Sequence, residues 1–369
     1  MRTTCECSER ASLVVWPGPL TLATMKITVL TGGVGGARFL RGLRTHVLEA
    51  YPADAAPTGE RGSSASITAI VNTGDDMWLS GVRIAPDLDS IMYTLAGEND
   101  EQRGWGRVGE SERVSAELRA YGVGWPWFTL GDLDIGTHLA RTSMLRDGLT
   151  LSEATARITS RWPLGVTLLP ATDDEVETQV VVDDAGAQMH FQEWWTRHRA
   201  ALPARAFVQR GVETSSPAPG VVQALLGADV IVLAPSNPVV SIGTILGIPG
   251  IREALVASSA PVVGVSPIIQ GAAVRGMADA CLQAIGVATS ADAVALHYGA
   301  RTAGGSLAGG GSLTGGVLDA WLVDESDAAL VPVIEAAGIR AAAVPLWMTD
   351  AAASAALAGA ALAAAVSPE

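Results

Sequence analysis

Basic residues are scarce in this 369-residue chain. Lys26 is its only lysine, and lysine and arginine together number 24 against 38 aspartates and glutamates, so the formal net charge is −14. A surface that binds nucleic acid or an anionic membrane needs clustered lysine and arginine, so the composition argues against both kinds of partner. Any anionic ligand must be held locally instead, by backbone amides, a few arginines or a metal ion.

Cysteine is also scarce, and the chain contains no long apolar run. Cys5, Cys7 and Cys281 do not make a disulfide framework. Residues 1–24 lack the basic start and continuous apolar stretch of a signal peptide, and they are predicted to be a poorly structured N-terminal extension. The alanine-rich stretch at 350–366 is too short and too weakly hydrophobic for a membrane span and predicts a packed helix. We therefore expect a cytoplasmic protein.

Apolar periodicity predicts the fold. Hydrophobic residues make up 49% of the chain, and apolar runs at 27–30, 67–71, 230–234 and 261–265 predict strands. The order of strands and helices predicts an α/β fold, with a Rossmann-like, mostly parallel sheet flanked by helices and an inserted α+β subdomain. The predicted divisions after the extension are a first α/β half (25–97), an inserted substrate-covering region (98–220) and a second α/β half with a C-terminal helix (221–369). A Gly/Ser-rich stretch at 302–316 predicts a surface loop.

A glycine-rich turn separates the first predicted strand from a helix. Gly32, Gly33, Gly35 and Gly36 supply backbone N–H groups at a helix N-terminus, an arrangement that suits a phosphate. The turn matches neither GxGxxG nor GxxxxGK[ST] in full, so a merely tight turn is the alternative interpretation. Arg38, one turn into the helix, either contacts the same anion or is solvated.

Four aspartates follow the second predicted strand closely. They are Asp75, Asp76, Asp87 and Asp89. Crowded carboxylates repel one another, and Mg²⁺ held by one or two of them together with substrate phosphate oxygens is the usual resolution. Turn or N-cap positions would explain Asp75 and Asp87 without a function. The sequence thus favours Asp76 and Asp89 as functional residues.

Two further groups are open to two interpretations each. His138 and Arg141 have i, i+3 spacing on a predicted helix, where His138 is either a catalytic neighbour or a packing residue. Trp194 and Trp195 either stack on a flat ring or pack in the core.

Ser236 and Asn237 follow the strand at 230–234. In α/β sheets, ligands bind at this position, just past the carboxyl end of a strand. An ordinary turn is the alternative.

Eight blocks of the sequence, in this order, resemble the 2-phospho-L-lactate transferase family of coenzyme F420 biosynthesis. The likeness runs from Met25 to about Asp350. The resemblance implies a Rossmann-like homodimer that transfers a phosphorylated three-carbon acid from its guanosine diphosphate anhydride to the terminal hydroxyl of the deazaflavin Fo, with release of GMP. The blocks are TGGVGGARFLRGL, VNTGDDMWLSG, PDLDSIMYTL, LGDLDIGTHLARTSMLRDG, LPATDDEVET, MHFQEWW, APSNPVVSIGTIL and VVGVSPIIQG.

The resemblance also implies site residues. Asp76 and Asp89 resemble the catalytic and Mg²⁺-binding residues, and Asp75, Asp89 and Thr129 correspond to the Fo side. Thr129 stands where the family often has a basic residue. The nucleotide side corresponds to Gly32, Gly33, Gly35, Gly36, Ser236, Asn237 and Pro238.

The donor and two other functions stay open at this point. Family members use either a phosphoenolpyruvate-derived or a 2-phospholactate-derived anhydride, and the single lysine with abundant arginine and alanine is typical of a GC-rich bacterium, which favours phosphoenolpyruvate. One alternative is a non-catalytic regulator that binds a nucleotide sugar, although that related family lacks the PDLD and MHFQ blocks. The other is an NAD-dependent dehydrogenase, but Asp54 and Glu60 lie in a polar loop instead of closing a second strand.

Overall fold

The structure is a computed structural model that describes residues 25–53, 62–301 and 315–366. The predicted extension at 1–24 lies outside the described residues, as does most of the predicted loop at 302–316. The strands are β1 Met25–Thr31, β2 Ala65–Val71, β3 Met77–Leu79, β4 Val82–Ile84, β5 Thr167–Pro170, β6 Glu177–Val181, β7 Gln188–His190, β8 Ala206–Arg210, β9 Val230–Leu233, β10 Val262–Val265, β11 Ile268–Ile269, β12 Ala272–Ala273, β13 Ala320–Val323 and β14 Arg340–Ala343.

Helices alternate with the strands along the chain. Short π or 3₁₀ turns add Glu193–Arg197, Val212–Thr214 and Glu325–Leu330. The α-helices are α1 Gly33–Ala50, α2 Pro86–Ala96, α3 Arg113–Ala120, α4 Asp132–Arg146, α5 Leu151–Thr159, α6 Val221–Leu226, α7 Ile242–Gly247, α8 Ile251–Ala257, α9 Ala278–Ala284, α10 Ala291–Tyr298, α11 Val331–Ala336 and α12 Ala351–Ala365.

Among the described residues, seven strands form one parallel sheet in the order β14-β13-β10-β9-β1-β2-β5. In its centre, Leu30 of β1 is aligned with Ile70 of β2 on one side and with Leu233 of β9 on the other. The predicted Rossmann-like α/β fold is confirmed. The strand order reverses between β1 and β9, because the chain leaves β1 toward β2 and leaves β9 toward β10.

The sheet is buried on both faces, which explains the continuous apolar runs of its central strands. Successive side chains point to opposite faces, so Val29 and Leu30 enter different cores. On one face the core includes residues of α1, α2 and α12, such as Phe39, Ile91 and Leu357. On the other face it includes residues of α7, α8, α10 and α11.

The region predicted as an insertion is not separate from the main sheet. Residues 98–220 contain α3, α4, α5 and the antiparallel sheet β7-β6-β8, but they also supply β5, which pairs with β2 at the sheet edge. β5 ends at Pro170, and proline within a short apolar run argues against a strand inside a sheet, so this run did not indicate a strand of the main sheet.

The chain ends, as far as it is described, on a helix that packs against the first one. Leu357 and Ala361 of α12 are buried in the core that α1 also faces. No described helix combines the length and the apolar character that a membrane crossing requires.

Substitution by alanine is predicted to have opposite effects on stability at two helical glycines, because only one of them lies at the contact between α1 and α12. A Cβ on Gly42 would overlap the backbone carbonyl of Ser354, so we expect Gly42→Ala to lower the free energy of unfolding by about 1–3 kcal/mol. Gly136 in α4 has open space around its Cβ position, so Gly136→Ala is expected to raise it by about 0.5–1 kcal/mol through helix propensity. Urea unfolding followed by circular dichroism measures both, and equal effects of the two substitutions would contradict this account of the packing.

Candidate active site

A cavity of about 840 Å³ opens outside the carboxyl ends of β1 and β9. Ligands of open α/β sheets bind at this place, where the strand order reverses. Three of the site residues expected from the sequence do not line the cavity: Gly36, Asp76 and Pro238. Those that do line it are Gly32, Gly33, Gly35, Asp75, Asp89, Thr129, Ser236 and Asn237.

The glycine-rich turn is fastened to the turn after β9. The hydroxyl of Ser236 accepts a hydrogen bond from the N–H of Gly32 (3.0 Å) and donates one to the carbonyl of the same residue (2.7 Å). Gly33 has a φ of 62°, which glycine adopts without strain. A Cβ on Gly35 would lie 2.6 Å from the carbonyl oxygen of Pro235. These residues therefore hold the two turns together, and the Ser236 proton is used inside the protein.

Asn237 is also engaged by its own turn. Its side-chain oxygen accepts hydrogen bonds from the N–H groups of Val239 (2.9 Å) and Val240 (3.2 Å). Its amide nitrogen lies 3.4 Å from the sulfur of Cys281. These contacts account for an asparagine at this position of the turn. Its contact with a nucleotide stays a prediction.

The carboxylate of Asp87 lies at the N-terminus of α1. It accepts hydrogen bonds from the backbone N–H of Gly33 and from the side-chain amide of Asn72 (2.9 Å). Burial raises the pKa of Asp87 to about 6, although both hydrogen bonds act in the opposite direction. The helix end that was expected to receive a ligand phosphate is thus already in contact with an internal carboxyl group.

Asp75 and Asp76 differ in their access to the cavity. Asp75 lines it, and its Oδ2 lies 3.5 Å from the amide nitrogen of Gln192. Burial, followed by the neighbouring charges of Asp87 and Asp76, raises the pKa of Asp75 well above its ordinary value. Asp76 is fully buried behind the cavity, 3.7 Å from the guanidinium of Arg83, and burial raises its pKa to about 7.

Asp89 is held by an arginine from α4. Arg141 bonds both carboxylate oxygens, with 3.0 Å between its Nη1 and Oδ2 and a second, shorter contact between Nη2 and Oδ1. Both side chains are almost completely buried. A bidentate guanidinium fixes the plane of a carboxylate, so Asp89 presents a defined edge to the cavity that it lines.

His138 lies between two carboxylates. Its Nδ1 is 3.5 Å from Oδ2 of Asp89, and its Nε2 is 3.4 Å from Oδ2 of Asp134. Asp134 also accepts a hydrogen bond from the hydroxyl of Tyr93 (2.8 Å). His138 therefore adjoins Asp89, the candidate catalytic carboxylate. Because it also lines the cavity, it is not solely a core residue.

The buried acceptors of this region fit a hard divalent cation. One carboxylate oxygen of Asp75 and both of Asp76 have no hydrogen-bond partner among the described residues, and oxygen atoms of this kind are the ligands that Mg²⁺ prefers. Ligand atoms of Asp89, Asp134 and His138 also lie within 4.8 Å of one another. Arg141 pairs with Asp89 and Arg83 lies near one oxygen of Asp76, so the buried oxygens that accept no hydrogen bond lie on Asp75 and Asp76.

Aromatic side chains also line the cavity. Trp195 lines the cavity and is partly exposed, whereas Trp194 is fully buried and donates its indole N–H to the carbonyl of Leu202 (2.8 Å). Of the two neighbouring tryptophans, Trp194 therefore packs in the core and Trp195 is available to a ligand. The other aromatic residues that line the cavity are Tyr93, Trp105, Trp127, Phe128 and Phe191.

Sequence reasoning named His138 and Arg141 but did not include Asp134 among the site residues. Asp134, His138 and Arg141 have i, i+4 and i+7 spacing, which places them on one face of α4 and would have indicated the cluster. Asn72 immediately follows β2, a position that also carries a signal. No local pattern indicates that Gln192 reaches Asp75, because the two residues are 117 positions apart.

Comparisons with known proteins show the family to which the chain belongs. The model of the family described as 2-phospho-L-lactate transferase CofD matches residues 27–338. A phosphoenolpyruvate transferase of Thermobifida fusca is 54% identical over 92% of this chain and 97% of the relative. A phosphoenolpyruvate transferase of Streptomyces griseus is 52% identical over 92% and 98%.

A solved structure shares the fold at lower similarity. A Bacillus halodurans protein described as a member of the UPF0052 family is 17% identical, with a TM-score of 0.55 over 92% of this chain and 99% of that one. This likeness shows the fold alone.

The raised pKa of Asp76 predicts a pH-dependent stability. The ordinary pKa of an aspartate is 3.8 and that of folded Asp76 is about 7, so between these values the folded state binds the extra proton and the free energy of unfolding falls as pH rises. In excess EDTA, we expect the stability of the parent relative to Asp76→Asn to fall by a few kcal/mol between about pH 4 and pH 8, since one pKa unit corresponds to about 1.4 kcal/mol.

Urea unfolding at several pH values measures this difference. Asp184→Asn is the control, since that side chain is 88% exposed, and its curve should run parallel to that of the parent. A parallel curve for Asp76→Asn would contradict the prediction.

Proposed function

Because this chain belongs to the 2-phospho-L-lactate transferase CofD family, we propose that it is a transferase of coenzyme F420 biosynthesis. In the proposed reaction, the terminal hydroxyl of the deazaflavin Fo attacks the acid-bearing phosphorus of a guanosine diphosphate anhydride. The phosphoenolpyruvyl group moves to Fo and GMP leaves. The observation that carries the proposal is the cavity of about 840 Å³, in which carboxylates, the glycine-rich turn and aromatic side chains meet.

Charge is the main obstacle to this reaction. The anhydride is anionic, and the cavity that would receive it is lined by Asp75, Asp87 and Asp89. We propose Mg²⁺ as the cofactor, held by the buried oxygens of Asp75 and Asp76 that accept no hydrogen bond, close to Asp89. When bound, it would neutralise charge on the phosphoryl oxygens, which is the principal demand of phosphoryl-type transfer.

The chain's own residues orient the reactants. Asp89 lines the cavity in an orientation fixed by Arg141, so it is the proposed acceptor of the hydroxyl proton. As the new O–P bond forms, the P–O bond to GMP breaks and GMP takes the bonding electrons. Asp76 does not line the cavity, so its part is confined to charge and ion binding.

The deazaflavin and the nucleotide donor would be bound by different parts of the cavity surface. Trp127, Phe128 and Trp195 offer flat apolar faces suited to a deazaflavin ring, and Thr129 lies beside them in the position that corresponds to the Fo side. The turns at Gly33 and Ser236 lie on the proposed nucleotide side. The crevice between β1 and β9 therefore supports a ternary complex with the reacting groups near Asp89.

The protein is also proposed to act as a cytoplasmic homodimer, as the family resemblance implies. Apolar side chains are exposed on α3 and the loop that follows, among them Val114, Tyr121 and Val123. α3 has no buried residue, so its packing within the described chain leaves these side chains available for a second copy.

We expect the donor to carry enolpyruvate, as the names of the relatives suggest. The two donors differ by two hydrogens, which make one carbon planar in one donor and tetrahedral in the other. A pocket discriminates so small a difference weakly, by roughly 1–3 kcal/mol, so the expected preference in kcat/KM is at most about 200-fold. Purified protein with Fo and each anhydride in turn, analysed by mass spectrometry, measures it. Preference for the lactyl donor would overturn the donor alone, and transfer from neither would overturn the proposed reaction.

Asp89→Asn tests the proposed proton acceptor. The amide keeps the shape of the side chain but cannot accept the proton, so we expect kcat to fall by about 100-fold or more. Asp184→Asn is the matched control, because Asp184 is exposed and pairs with Arg205 at 3.2 Å. The same assay in excess EDTA tests the proposed Mg²⁺, and full turnover there would remove the metal from the proposal. Retained activity of Asp89→Asn would remove Asp89 from the mechanism.

A further inference from the structure

A small basic pocket adjoins the main cavity. It has a volume of about 30 Å³, and its lining includes Arg38, Arg41 and Arg275. Arg38 lies on α1 just after the glycine-rich turn, whereas Arg275 lies in the segment between β12 and α9. Arg275 and Trp105 line both spaces, so a ligand in the main cavity can extend a group into the basic pocket.

Two of the three arginines have no partner among the described residues. Arg41 forms an ion pair with Glu101 at 2.6 Å, and this pair uses one of the two carboxylates on the pocket wall. Arg38 and Arg275, in contrast, have neither an ion pair nor a side-chain hydrogen bond within the part of the chain that the structure describes.

The other carboxylate on the pocket wall is that of Asp100, and it is engaged by its own loop. One of its oxygens accepts hydrogen bonds from the backbone N–H groups of Gln102 (3.0 Å) and Arg103 (2.9 Å). Neither acidic residue of the wall therefore pairs with Arg38 or Arg275, and the pocket carries more positive charge than its own carboxylates neutralise.

The two unpaired guanidinium groups line the same small pocket. Burial, and then the nearby charge of Arg38, lower the pKa of Arg275. A Cβ on Gly104, whose φ is 79°, would lie 2.6 Å from Nη2 of Arg275, so the loop backbone packs directly against this guanidinium. Two positive charges in one small pocket repel each other, and an anion between them would relieve the repulsion.

We propose that Arg38 and Arg275 form an oxyanion subsite that binds a charged group of the donor substrate. The inference rests on the proposed function and adds to it the residues that attract the donor, since the aspartates at the crevice repel it. Arginine binds phosphate and carboxylate oxygens in the same forked geometry. The group bound is therefore either a phosphate of the nucleotide or the carboxylate of the three-carbon acid.

Substitution of either arginine tests the subsite. We expect Arg38→Ala and Arg275→Ala each to raise the KM for the donor by roughly 10- to 100-fold, the usual effect of losing a charged hydrogen bond, while kcat stays within about threefold because the lost contact is made equally in the ground state. Arg275→Lys keeps the charge without the fork and should fall between Arg275→Ala and the parent. Arg205→Ala is the control, since Arg205 pairs with Asp184 on the surface.

Calorimetry with GDP and with phosphoenolpyruvate separates the two sources of the anion. Loss of GDP affinity in the alanine variants assigns the subsite to the nucleotide, and loss of phosphoenolpyruvate affinity alone assigns it to the acid. Unchanged affinity for both probes with an unchanged KM overturns the subsite. If the parent catalyses no transfer, the proposed function fails, yet the two affinities still decide whether these arginines bind an oxyanion. Thermal melting of each variant establishes that it is folded.

Discussion

The crowding of buried carboxylates is the constraint on which the rest of this site depends. Asp75, Asp76 and Asp87 are buried near one another, and burial raises the pKa of each. The groups that oppose this are few: the amide of Asn72, the N–H of Gly33 and the guanidinium groups of Arg83 and Arg141. A protein retains such an arrangement at the expense of stability, and perturbed groups of this kind concentrate at functional sites. The position of the cluster in the crevice agrees with that view.

The fold was largely predictable from the sequence because its central strands are buried on both faces. Runs such as Val230–Leu233 have no polar alternation, and that pattern is typical of a parallel sheet between helices. β5 was not predictable, since the proline that ends its short run argues against a strand inside a sheet. The residues 98–220 consequently looked like an insertion, although they complete the edge of the main sheet.

The site was predictable in its location but not in its details. Strand ends and glycine turns indicate where a crevice forms, because parallel strands bring their carboxyl ends to one edge. They do not indicate that Asp75 lines the cavity while Asp76 lies behind it, since that depends on the path of the loop after β2. The pairing of Asp89 with Arg141 likewise joins residues 52 positions apart, so only the tertiary structure reveals it.

The carboxyl group of Asp87 at the start of α1 has a thermodynamic consequence. An anion that approaches this helix end meets a group that ionises near pH 6, so its binding is linked to the uptake of a proton or a cation. Linkage is reciprocal, and each species raises the affinity of the other by the same factor. The heat of anion binding would then depend on the ionisation enthalpy of the buffer, which makes proton uptake visible without any chemical turnover.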